Sequence, residues 1–181
     1  MVQLYSMLWI SALFFGIIGV MRGLRREVIS LAGVILAMFA LYQFDNLLRG
    51  VLLASVPRDQ AFFVQFGLFS AIVFYAYQTR YFGTDNDGDR RGPRNNRVQD
   101  AILGGLLGAF NGYMIWGTIW YFLDINDYPL TGIISAPDVN SISAQNINAI
   151  PLVLLGGAAG GSPEALTIVV IILFVVVLFM I

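Results

Sequence analysis

The sequence predicts an all-α membrane protein: a polytopic helical bundle of four core transmembrane helices with a fifth helix at the C-terminus. Three observations predict it. Hydrophobic residues make up 58% of the 181 positions and charged residues only 12%, against about 25% charged in an ordinary soluble domain. Five windows (4–21, 28–44, 61–77, 101–123 and 165–181) hold no charged residue at all. The prolines, which would each cost a helix a hydrogen bond and a kink, all fall between these windows, at Pro57, Pro93, Pro129, Pro137, Pro151 and Pro163.

Lipid explains why the windows are helices: an open strand there would leave backbone groups unpaired. A helix needs roughly 17–25 residues to cross the hydrocarbon. The fourth window meets this with ease; the second, third and fifth borrow flanking residues. The first lacks a basic leader and is followed by Arg22-Gly23-Leu24-Arg25-Arg26 rather than by small residues, so it reads as a membrane helix and not as a cleaved signal. Glu27 stands at the positive start of the second window, and the six residues 22–27 make the first two helices antiparallel neighbours. Ser162-Pro163-Glu164 opens the fifth as a hydroxyl cap, a first-turn proline and an acid at the positive dipole end.

Arginine supplies every basic side chain, and 8 of the 10 lie in two alternate links, 22–27 and 79–100. Against five acids these links carry +3, whereas the other links carry −4, two Arg against six acids. Arginine bias of this kind marks the cytoplasmic side. The N-terminus is therefore expected outside a bacterial plasma (inner) membrane, with Arg22, Arg25, Arg26, Arg90, Arg91, Arg94 and Arg97 setting topology or meeting lipid headgroups. Trp116, Trp120 and Tyr121 toward one end, and Tyr75, Tyr77 and Tyr81 toward the other, suit the two interfaces.

The links divide further. In 83–97, Asp85, Asp87 and Asp89 hint at calcium. An EF-hand counted from Asp85 would need Gly and Glu where Arg90 and Asn96 stand, so a solvated loop is expected. Segment 45–60 reads as an interfacial helix or a continuation of the second helix. Segment 124–164 carries Ile133, Ile134, Val139, Ile142, Ile147 and Ile150 among Ser and Asn, and is expected to form an ordered extracytoplasmic cap. Its apolar run 150–159 is too short to span and either lies in the interface or re-enters.

Two glycine faces stand out. Gly16, Gly19 and Gly23 share one face of the first helix, and Gly104, Gly108 and Gly112 recur every four residues in the fourth. In lipid, small residues let backbones approach and gain dispersion contacts. The two faces are expected to meet each other, with Gly117 off that line. Gln43, Gln65 and Asn111 are the intramembrane amides, suited to interhelical hydrogen bonds.

The pattern of residues 16–41, Gly-x-x-Gly-x-x-Arg-Gly-x-x-Arg-Glu followed by an apolar Gly/Ala helix, resembles the colicin V production protein (CvpA) family. The segment AILGGLLGAFNG at 101–112 is similar to that family's second signature. The resemblance spans roughly 4–123, so residues 1–123 form a CvpA-like unit, 124–164 the cap and 165–181 the last helix. Two features depart from the pattern: Asn111 stands where a basic residue is frequent, and the loop DNDGDRRGPRNNR replaces a basic amphipathic link. The resemblance implies a membrane protein tied to export of a peptide toxin; relatives use the same helices to anchor a serine protease.

Composition excludes much chemistry. Without Cys, His or Lys there is no thiolate, imidazole or Schiff base, and no catalytic set, metal set or cofactor is expected. A net charge of −1 gives no basic surface for nucleic acid. Expected partners are the bilayer and other membrane subunits. The role expected is a CvpA-like scaffold in secretion or the envelope, without catalysis. The alternative is an accessory structural subunit of a larger bacterial membrane complex, respiratory or photosynthetic. A channel is disfavoured because no acid or arginine lies within the windows.

Overall fold

The computed structural model describes residues 3–78, 94–130, 132–156 and 164–180. All regular elements among the described residues are helical. The long ones are α1 (Leu4–Arg22), α2 (Leu24–Gln43), α4 (Arg58–Gln78), α5 (Arg94–Ile125) and α8 (Ala165–Met180). Short α3 (Asp45–Leu47), α6 (Ile142–Gln145) and α7 (Pro151–Leu155) join them. By length and composition three helices can cross a membrane: α1, α4 and the 29 residues Arg97–Ile125 within α5. The 20 residues of α2 rise about 30 Å, and α8 is a shorter apolar helix.

The order of packing differs from the order of the chain. α1 lies along α5, and α2 sits between α5 and the pair α4 and α8. α2 is the enclosed helix, with Val34, Ala37 and Met38 wholly buried. Gly33 of α2 lets α4 approach; a Cβ there would lie 3.6 Å from the Ala76 Cα. Around α2 the core closes with Phe69, Trp120, Leu152 and Leu166, and the Phe69 and Phe122 rings meet edge to face at 5.8 Å. Side chains such as Trp9, Leu13 and Phe14 of α1 and Ile171, Ile172 and Phe174 of α8 point outward, which in lipid costs nothing.

The turn between α1 and α2 corrects an expectation. The link is the single residue Gly23, not the six residues 22–27. Gly23 has φ +79, a conformation that costs other residues a clash at Cβ, and its N–H bonds the Gly19 carbonyl at 2.9 Å. Arg and Leu are good helix formers, so the arginines extend the helices instead of opening a loop. The Asp100 carboxylate of α5 accepts the Leu24 N–H at 3.1 Å, satisfying a donor at the α2 start that has no helical partner. The two helices meet only near this turn; the neighbour that runs along α1 is α5.

Segment 45–60 becomes α3 followed by a π-turn at Leu48–Leu52, with Val51 and Leu52 exposed. Past α5, Asp127 and Tyr128 both adopt positive φ, and the Tyr128 N–H returns to the Leu123 carbonyl at 2.8 Å. The Trp120 indole donates to the Tyr128 hydroxyl at 3.2 Å, which donates to Asp124 at 3.0 Å. Burial pushes the Tyr128 phenol above its ordinary range.

The segment after α5 folds back on the bundle. Ser143, Ile150 and Leu152 are buried, whereas Ile133, Val139 and Ile142 are exposed. The Tyr5 N–H bonds Ser143 Oγ at 3.3 Å, Tyr113 donates to the Ala149 carbonyl, and Tyr42 donates to the Gly156 carbonyl at 2.5 Å. Pro151 seats against Gly117, eight residues before the end of α5, which is about 12 Å down that helix. The described part of the apolar run 150–159 therefore turns back alongside α5 instead of continuing beyond its end. It also means that Gly117, though off the α1 contact line, is not open space. Gly117→Leu is expected to lower stability by about 1–3 kcal/mol and to speed proteolysis at 140–150. Unchanged cleavage and stability would show that α7 does not need this seat.

Candidate functional site: a buried ion pair where four helices meet

The glycine faces set the distance between α1 and α5. A Cβ added at Gly19 would lie 2.9 Å from the Gly108 Cα, and one at Gly104 would lie 2.8 Å from the Gly23 Cα. Both are closer than side-chain carbons approach a backbone. At Gly16 the imaginary Cβ stands 3.3 Å from the Ala109 Cβ. Gly112 faces Ser11, whose hydroxyl donates to the Gly112 carbonyl at 3.0 Å. Gly105, which the four-residue spacing did not single out, is also close-packed, against Val20.

With α1 this close, its last residue reaches the interior. Helical side chains lean toward the helix N-terminus, so Arg22 points back along α1 into the bundle. Its Nη1 donates to Glu27 Oε1 at 2.8 Å and to Ser30 Oγ at 2.9 Å, and Nη2 donates to the Tyr77 carbonyl at 3.1 Å. The guanidinium also lies 4.5 Å from the centre of the Tyr77 ring, a cation–π distance. Glu27 is 0% exposed and Arg22 17% by side chain. Asn111 Nδ2 donates to Glu27 Oε2 at 2.8 Å and to the Glu27 carbonyl at 3.2 Å, while Tyr77 Oη donates to Oε2 at 3.4 Å. Phe15 closes the top, its ring 5.4 Å from Tyr77. Thus α1, α2, α4 and α5 each contribute a polar group to one apolar-walled centre.

The carboxylate and guanidinium neutralise each other, which is the condition for keeping either inside a membrane. One group is left over. Asn111 Oδ1 is buried without a hydrogen-bond partner among the described residues.

A second polar cluster lies toward the other end. Gln65 Nε2 donates to Asp45 at 3.3 Å, and Asn126 Nδ2 donates to Gln65 Oε1 at 2.8 Å and to the Phe122 carbonyl at 2.7 Å. Beside it, Arg58 pairs with Asp127 on the exposed surface. Gln43, the third expected intramembrane amide, is instead exposed at the end of α2.

Of the expected headgroup arginines, Arg25, Arg26 and Arg97 are exposed at one end of the bundle, and Arg22 is drawn inward. Arg94 opens α5. Arg90, Arg91 and the three aspartates of the 83–97 loop lie outside the described residues. Among the described residues no three His, Cys, Asp or Glu side chains gather as a metal set. Sequence reasoning missed Glu27, Ser30 and Tyr77 as members of a site. The available signals were Glu27 and Ser30 on one face of α2 at i, i+3, and an amide, Asn111, amid an uncharged span.

A helical bundle with membrane-length apolar helices, apolar outer faces and one charge-balanced polar centre defines a polytopic membrane protein. The chain belongs to the colicin V production protein family, whose model matches residues 7–135. That match takes in the four core helices and the first part of the folded-back segment, leaving α6, α7 and α8 beyond it. No curated protein and no solved structure matches the chain.

Proposed function

We propose that this protein is a non-catalytic membrane scaffold acting in secretion or the envelope, in the bacterial inner membrane with its N-terminus outside. The observation that supports this most is where the buried polar side chains spend their bonds. Arg22, Glu27 and Asn111 join α1, α2 and α5, and Gln65 joins α4 to Asp45 and Asn126. They hold helices to one another.

The test is genetic and physical together. Deleting the gene is expected to lower export of a small secreted peptide or to sensitise the envelope to detergent. The wild-type gene should restore the phenotype and Gly108→Leu should not. Normal export and a normal envelope in the deletion strain would overturn the reading.

Orientation gives a separate prediction. In spheroplasts, added protease should spare the loop 83–97 and cut it only after the membrane is dissolved, because 8 of 10 Arg fall on that side. Cutting in sealed spheroplasts would reverse the topology.

One observation favours the alternative of an accessory subunit. α8 touches the bundle mainly through α2 and presents Ile168, Ile171, Ile172 and Phe174 outward. Purification in mild detergent with a larger complex at fixed stoichiometry would favour that alternative.

A further inference from the structure

We infer that the oxygens around the Arg22 guanidinium form a binding site for a monovalent alkali cation, with Arg22 as a tethered occupant that the cation displaces. This goes beyond the scaffold reading and does not rest on it.

The donor set is the first reason. Arg22 Nη1 sits 2.8 Å from Glu27 Oε1 and 2.9 Å from Ser30 Oγ, and Nη2 sits 3.1 Å from the Tyr77 carbonyl. That carbonyl belongs to the last turn of α4, where helix carbonyls lack intrahelical partners and carry the negative dipole end. Carboxylate, hydroxyl and carbonyl oxygens are the ligands that hard cations take.

Asn111 is the second and independent reason. Its side chain is 0% exposed, and its Nδ2 is committed to Glu27. Its Oδ1 accepts no hydrogen bond among the described residues. The Arg22 guanidinium does not hydrogen-bond this oxygen. A free cation, or a water that it carries, can satisfy the oxygen.

Charge selects the valence. Among the described residues, Glu27 is the one acid in the cluster and Arg22 the one base. With Arg22 displaced, a monovalent cation restores neutrality, whereas a divalent one would leave a net charge in a low-dielectric interior. An exit for Arg22 is at hand. It is the last residue of α1, partly exposed, at the end of the bundle where Arg25 and Arg26 already face outward, and its long stem can carry the head to the interface.

The test uses the full-length protein in neutral-lipid nanodiscs, with choline chloride exchanged for KCl or NaCl at constant ionic strength. The readout is the radioactive Rb⁺ or Na⁺ held by the protein at equilibrium, because exchange of a cation for the Arg22 head moves little net charge. Wild type should bind the tracer saturably. Arg22→Gln removes the competitor and should lower the half-saturating concentration about tenfold, while Asn111→Leu should raise it about tenfold. Glu27→Gln should abolish the binding. If Glu27→Gln does not fold, the opposite shifts of Arg22→Gln and Asn111→Leu still decide the matter. No saturable binding by wild type, loss of binding in Arg22→Gln together with Glu27→Gln, or uptake linear in salt and equal in all variants and in protein-free nanodiscs would overturn the proposal.

Discussion

Gly108→Leu is expected to disrupt the bundle, because a Leu side chain there would have to occupy the α1 backbone. The imaginary Cβ at Gly108 already stands 2.9 Å from the Gly19 Cα, and three further carbons would follow. Overpacking costs about 1–3 kcal/mol where side chains can yield; here the obstacle is backbone, so the loss should lie at the upper end or beyond. Gly67→Leu is the proper control. Gly67 lies in α4 with nothing within 4 Å of an added Cβ, and replacing an exposed helical Gly recovers up to about 1 kcal/mol of helix propensity. Unfolding in SDS mixed micelles, followed by Trp fluorescence, should separate the two variants clearly. In parallel, Gly16→Cys with Ala109→Cys should form a disulfide readily. Their Cβ positions are 3.3 Å apart, near the roughly 3.5–4.5 Å that a disulfide takes. Gly67→Cys with Ala109→Cys should not crosslink. Equal stability of Gly108→Leu and Gly67→Leu, with no disulfide at 16 and 109, would dismiss the α1–α5 contact.

The second large effect falls on Glu27. Glu27→Ala would leave the Arg22 guanidinium facing Ser30 and the Tyr77 carbonyl with no counter-charge. Removing one partner of a buried pair typically costs about 3–5 kcal/mol; Arg22, 17% exposed, recovers part of that by carrying its head to the interface, but then gives up its bonds to Ser30 and the Tyr77 carbonyl. Replacing both, Arg22→Met with Glu27→Leu, should regain most of that loss, since a buried pair exchanged for apolar residues is often neutral or better. Stability of these proteins and of the singles Arg22→Met and Glu27→Leu in the same micelles measures the coupling. A double variant no more stable than Glu27→Ala would mean that the residues act independently, and the four-helix centre would lose its electrostatic basis.

Much of this architecture was legible before any coordinates. Each spanning helix announces itself locally, through an uncharged run with a charged residue near one or both ends and the prolines outside it. The small-residue faces at 16, 19 and 23 and at 104, 108 and 112 follow from helical periodicity alone. Gln65 and Asn111 were legible as amides that need interhelical partners, and both have them. Less legible were the residues at helix ends. Arg22 was expected to set topology or meet lipid headgroups, and Glu27 to sit at the start of the second helix, because a charge beside an apolar run ordinarily stays at the interface. Gly117 was placed only as lying off the four-residue line; its partner, Pro151, lies 34 residues away in a segment with no helical periodicity of its own.

That the chain is helical and membrane-bound, and which faces are small enough for close packing, can be read from single segments of the sequence. These are properties of single segments in contact with lipid: hydrocarbon requires that every backbone group be paired within its helix, and periodicity places side chains on faces. Which helix runs along which, and where Arg22 points, follows from the assembled bundle. A single residue of positive φ at Gly23 replaces a six-residue link, and Asp100 of α5 caps the helix that follows. The close α1–α5 seat then carries the Arg22 head inward to Glu27 and Ser30 on α2 and to the Tyr77 carbonyl on α4. That outcome depends on four helices arriving together, since a charge stays in a low-dielectric interior only when its counter-charge and hydrogen-bond partners are already in place.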